Sequence, residues 1–160
     1  RVNILQPGCG VGGHCIAVDP WFLVHFAKGK AKFIQAAREV NTRKPDWVVD
    51  KVNAAAGKLR EPIIACFGAA YKPDINDLRE SPAVEIINAL QASDVGHVLV
   101  VEPNIEELPG SELVSLEKAL EKANVFVFLV GHAPFSQVTS TQLEDKIVVD
   151  ACGITSTINP

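Results

Sequence analysis

The chain has 160 residues, 48% of them hydrophobic and 21% charged, which is enough for one packed core or for one core with a helical arm. Its formal net charge of −4 gives no reason to expect nucleic acid or an anionic membrane as a partner, because both attract basic surfaces. No apolar run reaches the roughly 18 residues of a membrane span, no signal peptide opens the chain, and the four cysteines follow no disulfide spacing, so we expect reduced thiols in the cytoplasm.

A glycine-rich turn comes first along the chain. After Val2–Leu5, which predicts a short strand, the sequence reads PGCGVGGHCIAVDPWF from Pro7 to Phe22. Glycine permits positive φ and lets the backbone approach a ligand closely. A cysteine at the end of such a turn, here Cys15, can therefore face a substrate as an exposed nucleophile.

Three other interpretations of this stretch stay open on the residues alone. A G-x-G-x-x-G match starts at Gly8, but Pro7 interrupts the preceding strand and no acidic residue ends a second strand about 20 positions later, as a dinucleotide site needs. Cys9, His14 and Cys15 lack a C-x-x-C knuckle and a fourth ligand nearby, so we expect no metal site. The third alternative is a structural loop with an inert buried cysteine.

A helical region of about 40 residues follows the turn. Apolar residues recur at helical spacing in two sets, Phe33–Val40 and Val48–Leu59. Pro45 lies between them and predicts either the start of a second helix or a kink in one long helix. The apolar side of so long an arm needs a partner, either another molecule or the arm's own domain.

From Glu61 onward, the pattern alternates strand and helix, which is typical of a doubly wound α/β unit. Four apolar runs predict buried parallel strands, at Pro62–Phe67, His97–Val101, Val125–Val130 and Ile147–Val149. The fold class is therefore α/β, with a long helical arm followed by a Rossmann-like parallel-sheet domain. The predicted division lies near residue 60, between an arm at 1–60 and the α/β domain at 61–160.

Two helices of the α/β part carry start signals. Ser81 is predicted to cap a helix that Pro82 opens. The residues of this helix expected to face the sheet are Val84, Ile87 and Leu90. Ser115 is predicted to cap a second helix, which carries Leu116, Ala119 and Leu120.

The loop after the first strand is a candidate binding site, because ligands of such sheets bind at the carboxyl ends of the strands. Residues 68–80, GAAYKPDINDLRE, exceed the roughly 2 to 6 residues usual for a strand-to-helix link. Tyr71 can stack on a base or sugar, Lys72 can meet a phosphate, and Arg79 offers a fork of donors. The acids expected to hold these cations are Asp74, Asp77 and Glu80. The alternative is a solvated charged turn.

Two further polar residues follow later strands. Glu102, in VVEPN, either touches a ribose hydroxyl or is an ordinary loop acid. His132, in VGHAPF, is expected to be a loop residue rather than a ligand.

Four ordered segments resemble the nucleotide-sugar 6-dehydrogenases, the family of UDP-glucose and GDP-mannose dehydrogenases. They read RVNILQPGCGVGGHCIAVDPWF, AREVN, FGAAYKPDINDLRESPA and VVEPN. The resemblance covers nearly the whole chain and weakens after about Gly131. Members of the family are much longer and begin with an NAD-binding Rossmann domain. The resemblance therefore implies that this chain is the end of the central domain followed by the UDP-binding domain.

The same resemblance implies an NAD-dependent oxidation of a UDP-sugar alcohol to the acid in two hydride transfers. Cys15, matching the family's G-G-x-C turn, would add to the intermediate aldehyde and give a thiohemiacetal, then a thioester that water hydrolyses. Asp19 would orient or activate that water. NAD would be bound mainly by the N-terminal domain, and the family's catalytic lysine falls upstream of Arg1, so we expect this chain to be inactive alone.

Substrate and partner are implied in the same way. The residues that would bind substrate are Gly12, Gly13, His14, Tyr71, Lys72 and Arg79. Arg1 matches an arginine that can reach the substrate of the neighbouring subunit, and the family's long central helix builds a dimer interface, so we expect a homodimer. Val18, where UDP-glucose enzymes typically have lysine, favours UDP-N-acetyl-D-mannosamine as substrate, whose uronic acid would feed polysaccharide synthesis.

Two departures from the family's pattern leave questions open. Cys9 stands where relatives commonly have proline, so it could form a disulfide with Cys15 or have no role. Cys152 stands where relatives commonly have a basic residue, which puts the contribution of that cation in doubt. The alternative function is a non-catalytic UDP-sugar-binding or dimerisation module without a cofactor domain.

Overall fold

The arm consists of three helices in the computed structural model, which describes residues 6–157; Arg1 and the strand predicted at Val2–Leu5 lie outside them. The helices are α1 (Asp19–Phe26), α2 (Lys32–Thr42) and α3 (Lys44–Ala56). Arg43 alone separates α2 from α3, and Pro45 lies in the first turn of α3. Of the two predicted alternatives, Pro45 therefore marks the start of a second helix.

The α/β fold class is confirmed by a parallel sheet with the strand order β3-β2-β1-β4-β5. The strands are β1 (Ile63–Phe67), β2 (His97–Val101), β3 (Glu112–Leu113), β4 (Val125–Phe128) and β5 (Ile147–Asp150). The prediction missed β3, because two residues are too few to show a strand pattern. β4 ends two residues before its predicted end, since the amides of Leu129 and Val130 both turn to the carbonyl oxygen of Phe67, at 2.9 and 3.1 Å.

The two helices that were predicted after β1 begin at the predicted residues, whereas a third, short helix and two 3₁₀ helices were not predicted. The helices are α4 (Pro82–Ala92), α5 (Leu116–Lys122) and α6 (Ser140–Leu143), with 3₁₀ helices at Ala133–Gln137 and Ile154–Thr157. Ser115 caps α5 by accepting the amide of Lys118 at 3.2 Å. Ser81 occupies the predicted N-cap position of α4, but its hydroxyl donates to the carbonyl oxygen of Ala69 at 2.6 Å instead of accepting a helix amide.

The two faces of the sheet bury different residues. On one face, Ile64 and Cys66 pack with the apolar sides of α3 and α4. On the other, Ala65 and Phe67 pack with α5 and an aromatic group that includes Phe128, stacked on Phe67 at 4.6 Å between ring centroids. The buried side chains of α4 are Ala83, Ile86, Ile87 and Leu90, while Val84 is half-buried.

The apolar side of the arm has two different environments. In α3, Val48, Val52 and Ala56 are fully buried in the core of the sheet, so the expectation of a helix packed on its own domain holds for this helix. Neither α1 nor α2 contains a buried residue. Large apolar side chains are exposed there instead, among them Phe26 at 75% and Phe33 at 86%. No helix within residues 6–157 is long and apolar enough to cross a membrane.

Candidate functional site

The site lies at the carboxyl edge of the sheet, where β1 is flanked by β2 on one side and β4 on the other. Connections leave β1 and β4 in opposite directions at this point, which opens a crevice between their loops. The long loop 68–80 follows β1, and His132 follows β4. We call residues 68–80 the edge loop.

Cys15 ends the glycine turn with an exposed side chain. Its carbonyl oxygen accepts the amides of Val18 at 3.1 Å and Asp19 at 2.8 Å, which closes a helical turn just before α1. Side chains four residues apart on a helical turn lie on the same face. Asp19 and Cys15, both with exposed side chains, are therefore one helical turn apart.

The glycine turn is seated directly on the edge loop. A Cβ atom at Gly12 would overlap the carbonyl oxygen of Glu80 and lie 2.8 Å from the Cβ of Tyr71. Gly13 has φ +80°, and a Cβ there would lie 2.8 Å from Cε2 of the Tyr71 ring. The Gly13 amide also donates to the carbonyl oxygen of Arg79 at 3.2 Å. Both glycines are thus required by the contact that brings Cys15 next to the edge loop.

A second contact holds the glycine turn from the side of the arm. The Val11 amide donates to Oδ1 of Asn41 at 3.0 Å, and Arg38 Nη1 donates to the same oxygen at 3.3 Å. Both side chains belong to α2, in the AREVN segment. The sequence does not indicate this role for Asn41, because the two bonded residues are 30 positions apart along the chain.

The charged side chains of the edge loop are arranged unevenly. Asp77 holds Arg79 through both oxygens, with Nη2 to Oδ2 at 2.6 Å and Nε to Oδ1 at 3.0 Å. The side-chain hydrogen bond from Arg79 is the main cause that lowers the pKa of Asp77 to about 2, and the charge of His14 acts in the same direction. The exposed Lys72 and the half-buried Tyr71 precede this pair in the loop.

Glu102 is buried and fixes the start of the edge loop. Its Oε2 accepts the amides of Ala69 at 2.7 Å and Ala70 at 3.0 Å, together with Nε2 of His132 at 2.9 Å. Its Oε1 accepts the backbone amide of Asn104 at 3.0 Å. Burial disfavours the charged carboxylate, but the hydrogen bonds from His132 and these amides outweigh it and lower the pKa of Glu102 to about 2. Glu102 is therefore a loop-organising acid rather than a ribose ligand.

His132 is fully buried, although it was expected only as a loop residue. Its Nδ1 accepts the amide of Asp74 at 2.9 Å, so the proton of the neutral ring lies on Nε2, which donates to Glu102. The Asp74 carboxylate also accepts a bond, from the Ala133 amide to Oδ1 at 2.8 Å. Asp74 is thus held by the segment around His132 and does not pair with Lys72 or Arg79 as predicted. No sequence signal distinguishes such a buried histidine from an exposed one.

The four cysteines all lie within the described residues and are all free, so the disulfide considered between Cys9 and Cys15 is not formed. Burial raises the pKa of Cys9 to about 11 and those of Cys66 and Cys152 to about 12. Cys15 alone among them is exposed. The thiol that the sequence singled out is the one that solvent and ligands can reach.

The glycine turn does not form a dinucleotide cradle. The space beside Gly12 and Gly13 is filled by Tyr71 and the Glu80 carbonyl, and α1 begins only at Asp19, so no helix N-terminus points at the glycines. Within residues 6–157, no group of three or more His, Cys, Asp or Glu side chains could hold a metal ion.

Comparison with known proteins gives matches over nearly the whole chain. The model of the UDP-glucose/GDP-mannose dehydrogenase family matches with its UDP-binding domain at residues 65–157 and with its central domain at residues 1–43. A UDP-N-acetyl-D-mannosamine dehydrogenase of Campylobacter jejuni is 52% identical over an alignment of 155 residues, and the match covers 92% of this chain and 37% of that protein. An NDP-N-acetyl-D-galactosaminuronic acid dehydrogenase of Ralstonia solanacearum is 51% identical over 160 residues, covering 98% of this chain and 38% of that protein.

A solved structure agrees with these matches. The structure of a UDP-D-ManNAc dehydrogenase from Pyrococcus horikoshii superposes with a TM-score of 0.80 at 33% identity and covers 96% of this chain and 38% of its own. The chain thus spans about two fifths of the length of the relatives that it matches.

Proposed function

We propose, because this chain belongs to the UDP-glucose/GDP-mannose dehydrogenase family, that it supplies the nucleophile and the nucleotide-binding loop of an NAD-dependent nucleotide-sugar 6-dehydrogenase. The proposed reaction oxidises UDP-N-acetyl-D-mannosamine to UDP-N-acetyl-D-mannosaminuronate. One observation carries the proposal: the glycine turn that ends in the exposed Cys15 is packed, through Gly12 and Gly13, against the edge loop. The names of two relatives, both for N-acetylated sugars, support this substrate class.

The edge loop would bind the nucleotide part of the substrate. The diphosphate of a UDP-sugar is anionic, and Lys72 and Arg79 place two cations on the loop at the crevice. Arg79 is held by Asp77, yet its side chain is 67% exposed, so the guanidinium is oriented without being covered. Tyr71 uses one part of its ring against Gly13 and would offer the rest to the base or sugar. His14, exposed in the glycine turn, would face the sugar.

Cys15 would hold the intermediate between the two oxidations. Its thiolate adds to the aldehyde carbon, and the carbonyl oxygen takes a proton to give a thiohemiacetal. Loss of a hydride from that carbon, with loss of the hydroxyl proton, gives a thioester. Asp19, one helical turn after Cys15, would take a proton from the attacking water, and collapse of the adduct would release the acid and the thiol. The covalent bond keeps the aldehyde from escaping between the two steps.

NAD would be the acceptor of both hydrides. The described residues do not form its cradle, since the glycine turn is filled by the edge loop. NAD would therefore be bound mainly by other parts of the enzyme.

The exposed apolar side chains of α1 and α2 support a homodimer formed through the arm. Exposed apolar surfaces of this kind mark interaction sites, and Phe26 and Phe33 are 75% and 86% exposed. The division near residue 60 would then leave α3 as the connection between the two parts, although α3 itself packs in the core of the sheet. Sedimentation of the purified chain should give the mass of two copies, and a monomer at high concentration would contradict the dimer.

Titration of UDP into the chain tests the proposed function directly. We expect saturable binding with heat release, weakened about tenfold or more by Lys72→Ala, because a phosphate would lose a charge-assisted contact. Lys122→Ala, on the exposed end of α5, removes a lysine far along the chain from the edge loop and serves as the matched control. Absence of UDP binding, or equal loss in both variants, would refute the assignment of the edge loop.

A further inference from the structure

We propose that Glu102 and His132 are positioning residues that fix the edge loop in its ligand-binding shape, by holding the loop on both sides of Tyr71 and Lys72. The inference rests on the proposed function of the edge loop as the nucleotide-binding loop. It adds two residues that would act on the substrate only through others.

Glu102 and His132 lie on either side of β1 in the fold. Glu102 follows the end of β2 at Val101, and His132 follows β4, so the two residues come from the strands on either side of β1. The edge loop leaves β1 between them. Their side chains meet at 2.9 Å, and both are fully buried. The pair therefore joins the two neighbours of β1 at the base of the loop.

The pair accepts hydrogen bonds from amides of the edge loop on both sides of Tyr71 and Lys72. Before Tyr71, the amides of Ala69 and Ala70 donate to Glu102. After Lys72, the amide of Asp74 donates to His132. The segment 71–73 is thus a three-residue bridge with both ends tied to one buried pair. These bonds fix the backbone on both sides of the segment that carries Tyr71 and Lys72.

The hydrogen bonds of the pair fix which atoms of His132 and Glu102 carry protons. Because Nδ1 of His132 accepts an amide proton, the ring must donate through Nε2, and Glu102 must accept as a carboxylate. The groups around His132 are the carboxylates of Glu102 and Asp74, the amide of Asn104 at 3.1 Å and the ring of Phe135. With Nδ1 as acceptor and Nε2 as donor, the bonds to the Asp74 amide and to Glu102 are both made. A change in either residue leaves buried amides of the edge loop without acceptors.

The backbone of the loop shows what these bonds maintain. Asp74 has φ +59°, in the left-handed region that residues with a Cβ rarely adopt. Two bonds hold it there, from its amide to His132 and from the Ala133 amide to its Oδ1 at 2.8 Å. We expect the residue to leave this conformation when the acceptor is removed, and Lys72 to move with it.

The test combines hydrogen–deuterium exchange with UDP titration on three variants of the chain. Glu102→Gln removes the carboxylate at nearly constant size. His132→Gln can keep the donor that faces Glu102 but loses the acceptor for Asp74. His97→Asn is the control, since His97 and Glu112 form a similar pair at 3.0 Å that is exposed and away from the loop.

We expect amide exchange in residues 69–74 to rise about tenfold in Glu102→Gln, because glutamine has one acceptor oxygen where Glu102 receives donors on both. In His132→Gln, we expect exchange to rise near Asp74 alone, because its amide loses its acceptor. UDP affinity should fall about tenfold in both variants, beyond any change in melting temperature, and remain unchanged in His97→Asn. Unchanged exchange in residues 69–74 in the folded His132→Gln chain would overturn the inference, and so would faster exchange with full UDP affinity. Should Glu102→Gln fail to fold, His132→Gln alone decides. Faster loop exchange in the variants of a chain that binds no UDP would refute the proposed function while leaving the positioning of the loop supported.

Discussion

Substitution of Gly13 by alanine should separate the glycine turn from the edge loop. Two costs add at this position. A residue with a Cβ at φ +80° loses about 1 to 2 kcal/mol in the left-handed region. The new Cβ would also lie 2.8 Å from the Tyr71 ring, and overpacking of this kind costs about 1 to 3 kcal/mol. We therefore expect Gly13→Ala to lower the free energy of unfolding by about 3 kcal/mol.

Two other glycines separate these costs experimentally. Gly29 has φ +83° with no atom within 4 Å of an added Cβ, so Gly29→Ala should show the backbone cost alone, about 1 to 2 kcal/mol. Gly8 has neither a positive φ nor a neighbour within 4 Å and should be nearly neutral. Urea unfolding of the three variants, fitted with a common slope, gives the comparison. If Gly13→Ala is no more destabilising than Gly29→Ala, the turn does not press on Tyr71 and our account of the site is wrong.

Three further predictions concern the thiols and the buried acid. Iodoacetamide at pH 8 should label Cys15 first, as located by mass spectrometry, because Cys9, Cys66 and Cys152 have pKa values of about 11 to 12; early labelling elsewhere would contradict this. Cys15→Ser should abolish acid formation by the enzyme that contains this chain without weakening UDP binding, and normal turnover would rule out the thioester route. The pKa of Glu102 is about 2 against an ordinary 4.5, so the stabilisation by its ionised form is present above pH 4.5 and is lost as the pH falls towards 2. In Glu102→Gln, the free energy of unfolding should therefore depend less on pH over that range. An unchanged slope would show that other groups cause the acid dependence.

The main elements of the α/β part could be predicted because their signals are local. Runs such as Val125–Phe128 are apolar on both faces, as buried parallel strands require. Proline in the first turn indicates the start of α4 from the sequence alone. β3 escaped prediction because its pairing depends on β2, with Leu99 opposite Glu112, and its own two residues carry no pattern. What is local in the chain was predictable, and what depends on a partner strand was not.

The site was predictable in its parts but not in its connections. Glycine content and loop length located Cys15 and the edge loop from the sequence. The side chains that hold the edge loop and the glycine turn in place act across 30 residues or more, as Glu102 does for Ala70 and Asn41 does for Val11. A sequence shows the type of such a residue but not whether it is buried, and burial is what makes Glu102 an acceptor for the loop rather than a ligand for ribose.

Tyr71 is the residue through which the two halves of the site depend on each other. Its ring fills the space beside Gly13, and its amide donates to the carbonyl oxygen of Asp77 at 3.0 Å, so it contacts both the glycine turn and the far side of the edge loop. Because interiors packed this closely transmit strain, we expect a substitution that moves the Tyr71 ring to be felt at Gly13. Cys15 lies two residues beyond Gly13, so a smaller side chain at Tyr71, as in Tyr71→Ala, should change the rate at which the Cys15 thiol is alkylated, and an unchanged rate would contradict this dependence.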